Sequence, residues 1–140
     1  MDNVGIVVGD LAAAIDFFVE LGLELEGEMT VEGPWVGRVV GLDGVRTDIA
    51  MMRTPDGNGR LELAKFQMPA AICAEPRTHR QTRWVSVASC SPLTTFDGVV
   101  ARLQKRGAEL VGEVAQCEEK YRLCYLRGPE GILVALAEQL

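Results

Sequence analysis

Hydrophobic positions along the chain change period in a fixed order, and that order occurs twice. Asn3 to Val8 is a short apolar run rich in β-branched residues, which predicts a strand. Leu11, Ala14, Ile15, Phe18 and Leu21 then follow helical spacing, with Asp10 placed to cap the helix start and Gly22 placed to end it. Strands are predicted at Glu24 to Val31, Thr47 to Arg53 and Arg60 to Phe66. Between the first two lies EGPWVGRVVGLDG, which reads as a turn-rich connection carrying Trp35. The first half is therefore expected to be β-α-β-β-β.

The second half repeats the pattern and some of the text. ELGLELEGE (Glu20 to Glu28) recurs as KRGAELVGEV (Lys105 to Val114), and MMRTPDGNGRLELAKF (Met51 to Phe66) recurs as CYLRGPEGILVALAEQ (Cys124 to Gln139). Asp97 to Arg106 predicts the second helix, closed by Gly107, and strands are expected at Glu109 to Val114, Tyr121 to Arg127 and Ile132 to Leu136. Self-similarity at this scale marks two copies of one supersecondary unit. Residues 1–66 form the first, 67–78 a linker with two prolines, and 79–140 the second.

The copies diverge between His79 and Phe96, where HRQTRWVSVASCSPLTTF stands opposite the apolar NVGIVVGDL. Joining each codon's third base to the next codon's first two permits the reading PANTLGIRRVMFAVDDI, which restores an apolar strand running into Asp97. One expectation is a span read out of frame; the other is a divergent strand using Trp84, Val85, Val87 and Ala88.

Composition narrows the function classes. A chain of 140 residues is long enough for a substantial core. A net charge of -6 without a Lys/Arg cluster argues against nucleic acid, since phosphate binding needs concentrated positive charge. No apolar run approaches a membrane span and the start lacks a basic, cleavable leader pattern, so a cytoplasmic protein acting on a small molecule is expected. Cys73, Cys90, Cys117 and Cys124 are widely spaced and form no CxxC pair, so they read as small hydrophobes.

The duplicated modules, and above all NVGIVVGDLAAAIDFFVELGLELEGE, RTPDGNGRLELAKF and RGPEGILVALAEQL, resemble the vicinal oxygen chelate superfamily of glyoxalase I, bleomycin-resistance proteins and extradiol dioxygenases. The resemblance implies an α+β fold: two tandem βαβββ modules forming one glyoxalase-like domain with a cleft, commonly as a homodimer. It also implies a divalent metal (Mn, Fe, Ni or Zn) held by His, Gln or Glu on the first and last strands of each module. Carried over residue by residue, the first-module positions fall on Asn3 and Glu62. In the second module they fall near Val87 or Ala88 and on Ala135. Ala135 has no donor atom and Asn3 offers only a neutral amide oxygen, whereas a catalytic metal commonly needs about three protein ligands. The site therefore reads as incomplete, with Glu62 and Asn3 as its remaining candidate ligands.

Two functions follow from the resemblance. In one, the cleft binds a small organic molecule, with Trp35, Arg38 and Met51 as candidate contacts: Trp35 and Met51 as apolar lining, Arg38 as a fork for a carboxylate. In the other, a lyase, isomerase or dioxygenase uses a metal on Glu62 and Asn3, or Glu62 as a general base, on a substrate with vicinal oxygens. His79, the sole histidine, reads as a loop residue in either case.

Overall fold

The computed structural model describes residues 4–71, 84–86, 95–117 and 121–140, and the chain divides into two compact units, Met1–Ala74 and Glu75–Leu140. In the first, β1 (Val4–Val7) leads into α1 (Leu11–Leu21), followed by β2 (Glu24–Glu32), α2 (Pro34–Val40), β3 (Arg46–Arg53) and β4 (Arg60–Met68). The sheet order is β1-β4-β3-β2, with β1 parallel to β4 and the other neighbours antiparallel.

α1 begins where expected because Asp10 accepts a hydrogen bond from the Ala13 amide at 3.1 Å. It ends at Gly22, whose φ of 108° suits glycine, and the Leu23 amide returns to the Phe18 carbonyl at 2.9 Å. The helix buries Leu11, Ala14, Phe17 and Phe18, and it contacts β2, β3 and β4. Across the sheet, Ile6, Ala50, Met52, Leu61 and Leu63 are buried at register-matched positions and complete this core. The rings of Phe17 and Phe18 meet edge to face at 5.3 Å. Burying such a side chain contributes about 1.5–3 kcal/mol.

The hairpin between β3 and β4 follows its turn residues. Thr54 donates to Asp56 at 2.6 Å, the Asn58 amide donates to the same carboxylate at 3.0 Å, and Gly57 takes φ 71°.

The segment expected to be a turn-rich connection instead contains α2. Pro34 occupies its first turn, where a missing N–H costs no hydrogen bond, and Gly41 ends it at φ 74°. Gly41 and Leu42 both donate to the Gly37 carbonyl, at 2.8 and 3.1 Å. Three glycines in nine residues hid a helix whose ends carry the usual stop signals.

In the second unit, β5 (Trp84–Ser86) is followed by α3 (Phe96–Lys105), β6 (Glu109–Leu110), β7 (Ala115–Cys117), β8 (Tyr121–Arg127) and β9 (Leu133–Gln139). The order β5-β9-β8-β6 repeats that of the first sheet, again with the first strand parallel to the last, while β7 also pairs with β8. The strand expected over Glu109 to Val114 ends early, at Leu110, and pairing resumes at Ala115. Thr95 caps α3 by accepting from the Gly98 amide at 3.2 Å. Arg122 fastens this helix to the sheet: its guanidinium lies 4.8 Å from the Phe96 ring centroid and donates to Glu138 at 2.8 Å and to Asp97 at 3.3 Å. Those carboxylates raise its pKa, Glu138 most of all.

Two first strands were expected, and both exist, although β5 is described only over Trp84–Ser86. The rest of the irregular span, with His79, Val87, Ala88 and Cys90, lies outside the described residues, as do Asn3 and Cys73. Cys124 is buried.

Candidate functional site

Strand alternation divides the first sheet into the face packed by α1 and the face turned away from it. Rows of paired residues cross that second face. One runs Gly5, Glu62, Met51, Gly27; the next runs Val7, Ala64, Ile49, Met29; a third pairs Phe66, Thr47 and Val31. Met29 is 55% exposed and Val7 40% exposed, while Glu62, Met51, Ile49 and Phe66 are half-buried. The surface is thus mostly apolar, with the Glu62 carboxylate set within it.

The two glycines shape this face. A Cβ at Gly5 or at Gly27 would meet no atom within 4 Å, so open space flanks the Glu62–Met51 pair on both sides. Beyond Glu62 the face ends in an ionic rim. Arg53 donates to Glu24 at 2.7 Å, and Arg60 donates to Glu26 at 2.8 Å. The Arg60 hydrogen bond, aided by the Arg60 and Arg53 charges, holds the Glu26 carboxyl below its usual range against opposing desolvation. An apolar sheet face around one carboxylate, bounded by an ionic rim, can contact a small organic molecule and orient one polar group on it.

The second sheet carries the equivalent rows. Arg53 pairs with Arg60 at the first hairpin as Arg127 pairs with Leu133 at the second, so two residues onward Glu62 corresponds to Ala135 and Met51 to Tyr125. β5 places Ser86 beside Ala135, as β1 places Gly5 beside Glu62.

The predicted contact residues separate. Met51 lies directly across from Glu62. Arg38 sits on α2 and lines a recess whose walls also include Arg46 and Met68 at the far end of β3 and β4. Met68 is six residues beyond Glu62 on the same strand, about 20 Å away at strand rise. Trp35, on α2, is 54% exposed. Residues that sequence reasoning missed, Gly5, Gly27, Met29 and Phe66, were marked only by a two-residue period counted from Glu62 and Met51.

For the metal that the resemblance implies, the described donors do not fit. Glu62 supplies one carboxylate, Ala135 supplies none, and among the described residues no group of three or more His, Cys, Asp or Glu side chains could hold an ion.

The family model for the Glyoxalase/Bleomycin resistance protein/Dioxygenase superfamily matches residues 2–125. The chain belongs to this superfamily. Among solved structures it is similar to a glyoxalase family protein from Bacillus cereus, with 51% identity, a TM-score of 0.88, and coverage of 100% of this chain and 93% of that one. At 18% identity and a TM-score of 0.61 it shares its fold with TnmS3, an antibiotic binding protein from a Streptomyces species, covering 100% of this chain and 95% of that one. At 12% identity and a TM-score of 0.64 it shares the fold of the fosfomycin resistance protein FosX from Listeria monocytogenes, solved with Mn(II) and a dihydroxypropylphosphonic acid, covering 97% of this chain and 86% of that one. No curated protein matches. Among the described residues no helix is long and apolar enough to cross a membrane.

Proposed function

We propose that this superfamily member binds a small organic molecule in an inter-module cleft to which the Glu62 face contributes, and that its metal site is degraded. The observation that carries the reading is the register equivalence of Glu62 and Ala135: the second module keeps the strand and the hairpin and lacks the donor. What remains on the first face is an apolar surface with one carboxylate, the chemistry of a binding site more than of a three-ligand centre. Met51 serves as lining and Glu62 orients a polar group of the ligand. The antibiotic-binding relative of the same fold supports such a role.

The test is the metal content of purified protein, together with its melting temperature with added Mn, Fe, Ni or Zn and with chelator. A ligand that binds the folded state raises stability with its concentration and affinity. The expected result is no stoichiometric metal and no metal-dependent shift. A stoichiometric ion with a clear shift would instead establish the metal-dependent lyase, isomerase or dioxygenase reading, with Glu62 and Asn3 as ligands.

A further inference from the structure

The recess beside α2 is separate from the Glu62 face and is built by a tight closure. A Cβ on Gly37 would lie 2.4 Å from the Leu42 carbonyl oxygen, so only glycine lets the loop after α2 fold back against the helix. Two amides bonded to the Gly37 carbonyl hold that loop, while Val36 and Val45, both buried, anchor its two ends. Between helix, loop and sheet end this leaves an open groove of about 890 Å³, within the range of small-molecule sites.

The groove's charges are unequally used. Arg46 faces Glu32 at 3.7 Å, an exposed pair. Arg38 lines the same groove and, among the described residues, makes no ion pair or hydrogen bond. Leu42 and Met68, exposed at 44% and 62%, line it as well and supply apolar surface, while Asp43 on the loop disfavours a second negative group.

From this arrangement we infer that the α2 groove is a second small-molecule site, which takes an organic monoanion through Arg38 and lays its apolar body along Leu42 and Met68. The guanidinium matches a carboxylate with two parallel N–H donors, a pairing that a lone ammonium or amide does not reproduce. Four glycines, at 33, 37, 41 and 44, line the wall and let a flat ligand approach the backbone closely.

Naphthalene-2-carboxylate is a suitable probe, with the neutral 2-naphthylmethanol as its charge control, titrated into isotope-labelled full chain and followed by amide NMR. The amides of Gly33, Gly37, Gly41 and Gly44 should shift. The alcohol and the Arg38→Gln variant should each show affinity lower by about tenfold, the weight of one charge-assisted pairing. Asp43→Asn should bind the carboxylate more tightly, and Met68→Glu should abolish binding. Because Arg38 and Asp43 are exposed, their variants are expected to keep the wild-type melting temperature, so lost binding is not lost folding. Unmoved groove amides would overturn the inference, as would an Arg38→Gln variant that binds like wild type. Shifts confined to Gly5 and Gly27 would also overturn it, while leaving the Glu62 face as a binding site.

Discussion

Met51 lies directly opposite Glu62 across β3 and β4, and Gly5 and Gly27 continue the same row on either side with open space where their side chains would be. A thioether beside a carboxylate, flanked by two unfilled positions, gives a ligand both dispersion contact and a polar anchor. Gly27 follows a register shift in β2, whereas Gly5 lies in a regular stretch of β1 and is the more informative of the two about the site.

Filling one of them should separate binding from stability. Gly5→Val places a β-branched side chain in a strand, where it is favoured, and projects it into the space beside Glu62. The expected outcome is a melting temperature equal to or above wild type, and no thermal shift from small aromatic molecules where the proposed binding predicts one for wild type. A Gly5→Val variant that responds as wild type does would move the ligand off this face.

Restoring the missing donor tests the degraded metal site directly. Ala135→Glu places a carboxylate at the position equivalent to Glu62. On the proposed reading, this variant should gain a Mn(II)-dependent rise in melting temperature of about 5 °C at tenfold excess over Kd, and wild type should show none. Adding Glu62→Ala should erase the gain. A response that survives Glu62→Ala would mean that the ion binds elsewhere.

Acid stability should depend on three carboxylates. Glu26 is lowered chiefly by the hydrogen bond from Arg60, Asp48 chiefly by that from Thr30, and Asp56 chiefly by that from Thr54. A carboxyl depressed in the folded state binds its proton more readily when unfolded. Its contribution is therefore complete above the ordinary carboxylate range and fades as pH falls through the lower, folded value. Urea midpoints measured from pH 7 down to pH 3 should decline in that window, and Glu26→Gln should make the decline shallower. Identical pH profiles would remove Glu26 from this linkage.

Much of this architecture was legible because local chemistry and the core agree. Asp10 and Gly22 bracket α1 at the residues that its hydrophobic spacing demands, and the turn between Arg53 and Arg60 is dictated by Thr54, Asp56 and Gly57. Helix α2 was missed because Gly33, Gly37 and Gly41 outweighed the Pro34 and Gly41 boundary signals. The position of Glu62 in the repeat could be read from LEL against VAL, yet the face around it could not. Which residues share that face depends on pairing between β1, β3 and β4, and on a register shift between Leu25 and Gly27 that leaves Glu26 outside the Cα register with β3. The separation of Arg38 from Glu62 was likewise a matter of tertiary placement, since sequence distance says nothing about which end of β4 a loop will meet.

Gly37 offers the sharpest test of how the α2 loop is held. The atom that a new Cβ would strike is the backbone oxygen of Leu42, which cannot move without shifting the whole return from Gly41 to Val45. Overpacking of this kind typically costs about 1–3 kcal/mol, and the helix preference of alanine offsets no more than about 1 kcal/mol of it. Gly37→Ala should therefore lower the urea midpoint, whereas Gly5→Ala, which meets open space, should not. The substituted loop should also exchange its Gly41 and Leu42 amide protons faster, because both are bonded to the Gly37 carbonyl. Unchanged exchange and an unchanged midpoint would show that the loop closes over Gly37 less tightly than this geometry requires.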